Sequence, residues 1–395
     1  MNQWSLVQNN NTLELTCLIP CLNEQETLAS CIKDAQKSIA SIGLTGEILV
    51  ADNGSTDGSV EIAKSLDARV INVQQKGYGS ALINGIRSAQ GKFIIMGDAD
   101  GTYEWDKLQQ IYAKLDQGFD LVMGNRFSGQ ISNSAMPFLS RYIGNPILSF
   151  LGKLFFKIKI NDFHCGLRGF SREKMLNLQL NSLGMEFASE IIIKSALTNL
   201  KITEVPTKLL PGPAGRKPHL RPFRDGWRHL RLMLAFAPTW SAIYPGILFL
   251  TLGLSLSSII FFGEGNFFSL NLKEHSLIVA MGLIFLGFSS ILLGVLGLFS
   301  LSNYPKYREK QVLKYLSKSQ TLELLLIVGF TLIIAGLVSL IQSIQFWSTF
   351  NFSSLEPAGL IFQISPSVLL LLMGFQIIFV SFLFETIKNN LNKNF

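Results

Sequence analysis

Hydrophobic positions follow two different patterns along this chain, and the change falls at about Phe236. Before it, short apolar runs alternate with amphipathic stretches. The run LELTCLIP at 13–20 reads as a buried strand, and 47–51, 68–73, 92–96 and 120–123 read as further strands. Helical spacing fills the intervals at 24–41, 59–66 and 79–89, and another helix starts near Trp105. This alternation predicts an α/β domain with a mostly parallel sheet and helices on both faces. After Phe236 come four stretches without a charged residue, at about 237–262, 276–301, 324–347 and 358–384. Each exceeds the ~20 residues that carry a helix across ~30 Å of hydrocarbon, so a four-helix transmembrane domain is expected. Pro245 and Pro366 fall inside these runs, where neighbouring helices can satisfy the freed carbonyls.

Composition sharpens the division. Of 395 residues, 48% are hydrophobic and only 15% charged, against about a quarter charged in an ordinary soluble domain. Residues 1–236 hold 26 basic and 21 acidic side chains, a normal soluble density, and the remainder holds eight and six. A disordered, collagen-like, disulfide-stapled or wholly soluble chain is thereby excluded. The 302–322 loop carries Lys306, Arg308, Lys310, Lys314 and Lys318 against Glu309; the other two loops hold Lys273 against Glu264, Glu274 and Glu356. Basic loops stay in the cytoplasm, so 1–236, the 302–322 loop and the C-terminal tail are expected there, at the inner membrane if the source is bacterial. The polar opening MNQWSLVQNNN is not read as a signal segment. Cys17, Cys21, Cys31 and Cys165 fall in this reducing compartment without zinc-like spacing and are read as packing residues.

Three polar clusters begin where predicted strands stop: Pro20-Cys21-Leu22-Asn23-Glu24, then Asp52 to Gly58 (DNGSTDG), then Gly97-Asp98-Ala99-Asp100-Gly101. Each alone is ordinary turn and capping chemistry. In a parallel sheet, however, all three reach one edge, the carboxyl ends of the strands, where ligands bind. Asp98 and Asp100 are two apart and can turn both carboxylates toward one Mg²⁺ or Mn²⁺, with diphosphate and water completing the shell. Gly97 and Gly101 leave room for a phosphate against the backbone, and Asp52 is placed to accept from a base or ribose. Lys76, in the KGYG turn, either reaches a phosphate or belongs to a plain turn. One rim is therefore expected to hold a nucleotide, a diphosphate and a divalent metal.

IPCLNEQETL, VADNGSTDGS and GDADGTY resemble the successive signatures of family-2 glycosyltransferases with the GT-A (Rossmann-like) fold. NDFHCGLRGFSREK and GMEFASEIIIKSA are similar to the subgroup of dolichyl-phosphate mannose synthase and bacterial polyprenyl-phosphate glycosyltransferases. The resemblance covers 13–236 closely and the spans only in general type; with the charge pattern, the expected division is a GT-A catalytic domain at 1–210, a basic juxtamembrane loop and interfacial helix at 211–236, and a transmembrane domain at 237–395. It carries Pro20, Asn23, Glu24 and Asp52 to the nucleotide pocket and makes Asp98 and Asp100 the metal–diphosphate motif. Arg126 and Arg168 match arginines near donor and acceptor phosphates; with Asp100 they form the expected catalytic set. Glu186 and Glu190 match an acidic segment without an assigned duty. The family often has Gln where this chain has Thr102, which leaves the third metal ligand open. Many relatives also carry fewer spans.

The resemblance implies a nucleotide-sugar donor, a polyprenyl phosphate acceptor and inversion at the anomeric carbon. Such an acceptor is already anionic, so no general base is required. Arg216, Lys217, Arg221, Arg224, Arg228 and Arg231 crowd the approach to the first span. Arg224, Arg228 and Arg231 share one helical face, and Phe223, Trp227, Leu230 and Leu234 share the adjoining one, as in an interfacial helix. Two readings of this segment stand: anchoring to membrane lipid alone, or anchoring with capture of the lipid phosphate by Arg221 and Arg224. Pro211 to Gly215 reads as a mobile loop able to close over the donor. No nucleic-acid partner is expected; the third and fourth spans are compatible with a homo-oligomer. A processive polysaccharide synthase shares the rim and spans, but its Gln-x-x-Arg-Trp motif is not evident. A non-enzymatic flippase or scaffold would not need Asp98 and Asp100 intact, and often needs an ionisable residue within its spans.

Overall fold

Every residue of β1 (Leu15–Cys21) is buried, as a strand covered on both faces requires. The chain continues through α1 (Leu28–Ser41), β2 (Gly46–Asp52), α2 (Ser59–Ser65), β3 (Arg69–Asn72), α3 (Tyr78–Ser88), β4 (Phe93–Met96) and α4 (Leu108–Asp116). Then come β5 (Leu121–Ile131), α5 (Asn145–Phe156), β6 (Arg168–Ser171), α6 (Arg172–Asn177), α7 (Phe187–Leu197), β7 (Ile202–Leu209) and α8 (Pro222–Ala235). This computed structural model describes residues 13–213, 221–262, 266–267, 270–272, 274–316, 318, 320–352 and 357–392. It divides into two units, Met1–Met233 and Leu234–Phe395. Arg216, Lys217, Ala214 and Gly215, named above in the basic segment and loop, lie outside the described residues. So do Glu264, Lys273 and Glu356 of the loops.

Among the described residues, the first unit holds a seven-stranded sheet in the order β3-β2-β1-β4-β6-β5-β7. β1 pairs in parallel with β2 and β4, β2 with β3, and β5 with β7. β6 runs antiparallel to both its neighbours, β4 and β5. The mostly parallel sheet agrees with the sequence pattern; the inserted antiparallel strand is additional. α1 starts four residues later than helical spacing suggests, because 24–27 form a turn that follows Asn23 at φ +56°. Trp105–Lys107 is a single 3₁₀ turn leading into α4. β5 runs well past 123, to Ile131.

A polar brace closes the sheet edge opposite the carboxyl ends. Thr16, fully buried, donates from Oγ1 to Glu47 (2.8 Å) and accepts the Gly91 N–H (2.9 Å). Glu47 also accepts from Gln90 N (2.8 Å) and from both Arg69 Nε (2.8 Å) and Arg69 Nη2 (3.0 Å). α8 buries Asp225, His229 and Met233, four apart along one face, while Phe223, Arg224, Trp227 and Arg231 stay exposed. The buried face is thus formed by Asp225, His229 and Met233, and Phe223 and Trp227 of the apolar face read from the sequence are not part of it.

The second unit comprises α9 (Tyr244–Phe262), α10 (Glu274–Ser300), α11 (Pro305–Arg308), α12 (Gln311–Leu316), α13 (Thr321–Ser348) and α14 (Pro357–Asn392). Among the described residues, four segments are long and apolar enough to cross a membrane: Thr239–Phe262, His275–Ser300, Thr321–Ser348 and Ile361–Leu391. They lie within a few residues of the charge-free runs, except that α14 continues helical through Glu385 and Lys388, which pair at 3.4 Å. The helices approach through small residues, as membrane helices do. A Cβ on Gly287 would lie 2.4 Å from Leu250 N, and one on Gly374 2.7 Å from Gly329 O. Ser289 donates to Gln376 at 2.8 Å, and Ser339 and Ser367 hydroxyls meet at 2.7 Å.

Replacing Thr16 by Val leaves the Gly91 N–H and a Glu47 lone pair unpartnered beneath the sheet. Such a loss costs about 1–3 kcal/mol. The thermal midpoint of the detergent-solubilised chain should fall while ligand binding at the opposite edge is retained; an unchanged midpoint would refute the brace.

Candidate active site

The strand order puts β2, β1 and β4 side by side, so all three polar clusters end on one edge. The order reverses between β1 and β4, and the crevice at that switch point is where open α/β sheets bind ligands. The first two clusters are laced together. Ser55 Oγ accepts the Asn23 N–H (2.9 Å), Asn23 Oδ1 accepts the Thr56 N–H (2.8 Å), and Ser59 Oγ accepts the Glu24 N–H (3.0 Å). Asp52 is 4% exposed, and its carboxylate accepts from Gly54 N (2.9 Å) and Ser55 N (3.2 Å). Its first duty is thus to hold the turn it begins. Asn53 bridges to the next loop, donating to Val73 O (3.0 Å) and Gln75 O (2.8 Å) and accepting the Gly77 N–H (2.7 Å). Lys76 folds over the same turn, its Nζ donating to Asn53 O at 2.7 Å and Gly54 O at 3.4 Å. Asn23, Glu24, Asp52 and Lys76 therefore belong to one hydrogen-bonded network, and Pro20 lies buried at the end of β1 beside it.

Asp98 and Asp100 follow β4. Tyr78 Oη donates to Asp98 Oδ1 (2.9 Å), and Thr102 donates to Asp100 Oδ1 from Oγ1 (2.6 Å) and from its N–H (3.1 Å). Burial, and then the neighbouring Asp100 carboxylate, push the Asp98 carboxyl up to about 6. Two hard carboxylate oxygen donors suit Mg²⁺ or Mn²⁺ with ligand phosphates and water in the other positions. Among the described residues, no group of three or more His, Cys, Asp or Glu side chains forms a metal cluster. Thr102, in the position left open for a third ligand, instead braces Asp100.

The arginines stand on β5 and β6. Arg126 is 8% exposed and forms a forked pair with Asp162, Nε to Oδ2 at 2.7 Å and Nη2 to Oδ1 at 2.8 Å. Burial alone would raise the Asp162 carboxyl, but the Arg126 charge and hydrogen bonds outweigh it and hold it low. Arg168 is 1% exposed, and its guanidinium donates to the carbonyls of Cys165 (2.7 Å), Ala188 (2.9 Å) and Phe163 (3.3 Å). It acts on Asp98 by its field, without a hydrogen bond between them, as Arg126 also does. Arg221 and Arg224 stand at the start of α8, where Asp225 accepts the Arg221 N–H (2.7 Å) and lies 3.5 Å from Arg224 Nε.

Several residues at this edge were not singled out by sequence. Asp162 is the anion that a buried Arg126 requires; it lies in the quoted NDFHC segment, but only burial reveals the need. Gly166 lies against Asp98: a Cβ there would sit 2.2 Å from Asp98 Oδ2. Ser189 Oγ joins two histidines, His229 Nδ1 at 2.9 Å and His164 Nε2 at 3.3 Å, whose rings meet edge to face at 4.4 Å. Burial, then His229, Arg126 and Arg168, keep His164 well below its ordinary value; burial takes His229 to about 4, partly opposed by Asp225. Both stay neutral. Glu190, left without a duty above, accepts the Asn181 and Ser182 N–H groups and pairs with Lys194 at 2.7 Å. Glu186 lies 3.8 Å from Arg228. The four cysteines are buried free thiols, and burial raises Cys21 and Cys165 to about 11.

Residues 16–178 match the model of glycosyl transferase family 2, and 298–388 match the glycosyltransferase family 2 C-terminal transmembrane region. Glycosyltransferase AglJ of Haloferax volcanii is 34% identical over 217 residues, 54% of this chain and 69% of that protein. The chain belongs to glycosyltransferase family 2. Its sheet is the GT-A fold, joined to a transmembrane region, so this is a membrane member of the family. The low-salt glycan biosynthesis hexosyltransferase Agl6 of Haloferax volcanii is 36% identical over 247 residues, 62% of this chain; the chain spans 58% of that relative's length. A dolichyl-phosphate hexose transferase of the same organism is 26% identical over 49% of this chain and 81% of its own. A crystal structure of glucosyl-3-phosphoglycerate synthase from Mycobacterium tuberculosis is similar at a TM-score of 0.45 and 21% identity, over 57% of this chain and 80% of that one.

Gly166→Ala would force the Asp98 carboxylate to swing aside. Misplacement by about 1 Å can cost on the order of 10²-fold in rate. Glycosyl transfer should fall by that order with the circular dichroism of the parent retained; full activity would show that the Asp98 position is not critical.

Proposed function

We propose that this chain moves a hexose from a UDP- or GDP-linked donor to a polyprenyl phosphate, with inversion at the anomeric carbon. The observation that carries the reading is a groove of about 380 Å³ lined by Arg126, Arg141, Phe127, Ile131, Tyr142 and Pro146, among others. It combines two cations with apolar walls, and it shares Tyr142 and Pro146 with a helical face of unusual composition. Along that face Phe138 (72%), Tyr142 (58%), Ile147 (52%) and Phe150 (59%) are exposed. A phosphate head with an isoprenoid tail has the same two polarities. The relative named for dolichyl phosphate supports the same acceptor class.

The donor would lie across the laced β1–β2 loops, its base and ribose toward Asp52 and its diphosphate toward Asp98 and Asp100. These two carboxylates would hold Mg²⁺ or Mn²⁺, whose chemistry is to neutralise the leaving nucleoside diphosphate. An acceptor phosphate oxygen attacks C1 as the C1–O bond to the diphosphate breaks, and the electron pair leaves with the nucleoside diphosphate. No proton moves, in keeping with neutral, buried His164 and His229. The fixed charges of Arg126 and Arg168 offset the two polyanions brought together. We place the first unit, the basic 302–322 loop and the C-terminus on the cytoplasmic side by the positive-inside rule.

The test is incubation of the detergent-solubilised chain with UDP- and GDP-hexoses, Mn²⁺ and polyprenyl phosphate, with mass spectrometry of the lipid. A hexosyl polyprenyl phosphate of inverted configuration is expected; a retained configuration would overturn the mechanism, and no lipid product with any donor would overturn the acceptor. Arg221→Ala and Arg224→Ala should each weaken lipid use roughly five-fold, the worth of ~1 kcal/mol per basic residue near an anionic surface, while donor hydrolysis persists. Equal effects on both reactions would assign these arginines to folding or to donor binding. For orientation, alkaline phosphatase fused after Phe395 should be inactive and a fluorescent protein bright; the reverse would invert the topology.

A further inference from the structure

Beyond Lys76, the KGYG turn has no assigned part in the chemistry, yet it touches both halves of the proposed donor site. Tyr78 Oη donates to Asp98 Oδ1 at 2.9 Å. On the other side of the same carboxylate, Gly166 stands so near that an added Cβ would be 2.2 Å from Oδ2, and its N–H donates to Tyr103 Oη at 2.8 Å. Asp98 is thus held between a hydroxyl donor and a backbone wall.

The backbone that carries Tyr78 is itself pinned. Gly77 donates its N–H to Asn53 Oδ1 at 2.7 Å, and Asn53 directly follows Asp52. Gly77 sits at φ +137°, where an L side chain is strained, and a Cβ would fall 2.2 Å from Leu183 O. At Gly79 a Cβ would fall 2.0 Å from Ser182 O, and the Ser80 N–H donates to Leu183 O at 3.1 Å. The 182–184 segment is in turn tied to Glu190 through the Ser182 N–H at 2.8 Å. Tyr78 consequently has one position, measured from the Asn53 loop on one side and from α7 on the other.

We propose that Tyr78 is a positioning residue for the divalent-cation site: it orients Asp98 and sets the spacing between the nucleotide-side loop and the carboxylate pair. The proposal rests on the reading of Asp98 and Asp100 as cation ligands. Hydrogen-bonded partners of ligating groups fix ligand direction, and their loss commonly weakens metal affinity by 10–100-fold. Phenylalanine at 78 keeps the ring and its packing and removes only the oriented hydroxyl.

The experiment uses the full detergent-solubilised chain and Mn²⁺ alone, with free Mn²⁺ followed by electron paramagnetic resonance. Tyr78→Phe should raise the Mn²⁺ dissociation constant about tenfold, with the thermal midpoint of the metal-free protein close to that of the parent. An unchanged dissociation constant overturns the proposal. So does a tenfold loss that comes with a collapsed thermal midpoint, which would make Tyr78 a packing residue. Gly77→Ala, which displaces Tyr78 without altering its hydroxyl, should weaken Mn²⁺ in the same direction; normal binding there also counts against it. Asp100→Ala separates the two levels: if it binds Mn²⁺ as the parent does, or the parent binds none, the cation reading falls first and the positioning role with it.

Discussion

Holding Asp98 beside Asp100 in a partly dry crevice is the constraint around which the first unit is arranged. Two carboxylates close together in a medium less polar than water repel strongly, and burial penalises each charge further. The rise of Asp98 to about 6 is the trace of both costs. What opposes them is fixed in place. Tyr78 donates to one oxygen, and Arg168 supplies a positive field from a guanidinium already committed to three carbonyls. The antiparallel insertion of β6 acquires a physical reason here. Its register sets Arg168 opposite Met96, the last residue of β4, so the arginine arrives beside the acidic pair by strand pairing alone.

Burying that arginine and its neighbour creates a second requirement, because unpaired buried cations are costly. Arg126 is answered by Asp162 in a forked pair. The segment carrying Asp162 is held by Glu204, which accepts from Asn125 Nδ2 (2.8 Å) and from Asn161 N (2.8 Å). Burial first, and then the field of Arg168, disfavour a charge on His164 and His229, which share the Ser189 hydroxyl. Charge at this edge is thus assigned by position, cationic on β5 and β6, anionic after β4, neutral at the two histidines. Fixed dipoles and charges of this kind need no reorganisation when a polyanion enters.

The three polar clusters were legible because turn chemistry at strand ends is local, and a parallel sheet converts local ends into one edge. The four membrane spans were legible because an uncharged run of that length has few other uses. Arg168 shows the opposite case. Its motif marked it as functional, but nothing in the chain distinguishes an arginine that meets a ligand from one enclosed by carbonyls. Asp162, Gly166 and Ser189 depend on partners distant in sequence, so no spacing rule reaches them. β6 is only four residues long and carries an arginine, and α5 is apolar on more than its buried side. Both defeat periodicity for that reason: one is too short to show alternation, the other has no polar face to contrast with its core face.

α5 and the turn before it expose Phe138, Tyr142, Ile147 and Phe150, as α8 exposes Phe223 and Trp227. At about 25 cal/mol per Å² of apolar surface, four such side chains left in water represent several kcal/mol of unrealised burial. A fold that is only marginally stable gains nothing from such a face by itself. Arg141 interrupts it beside the groove, its guanidinium 5.4 Å from the Tyr142 ring, which packs at 4.9 Å from Phe138. Phosphate recognition needs no apolar face, and hydrophobic packing within the unit needs no exposed arginine. A ligand with an anionic head and a hydrocarbon tail would use both, which is the physical argument behind the proposed acceptor class.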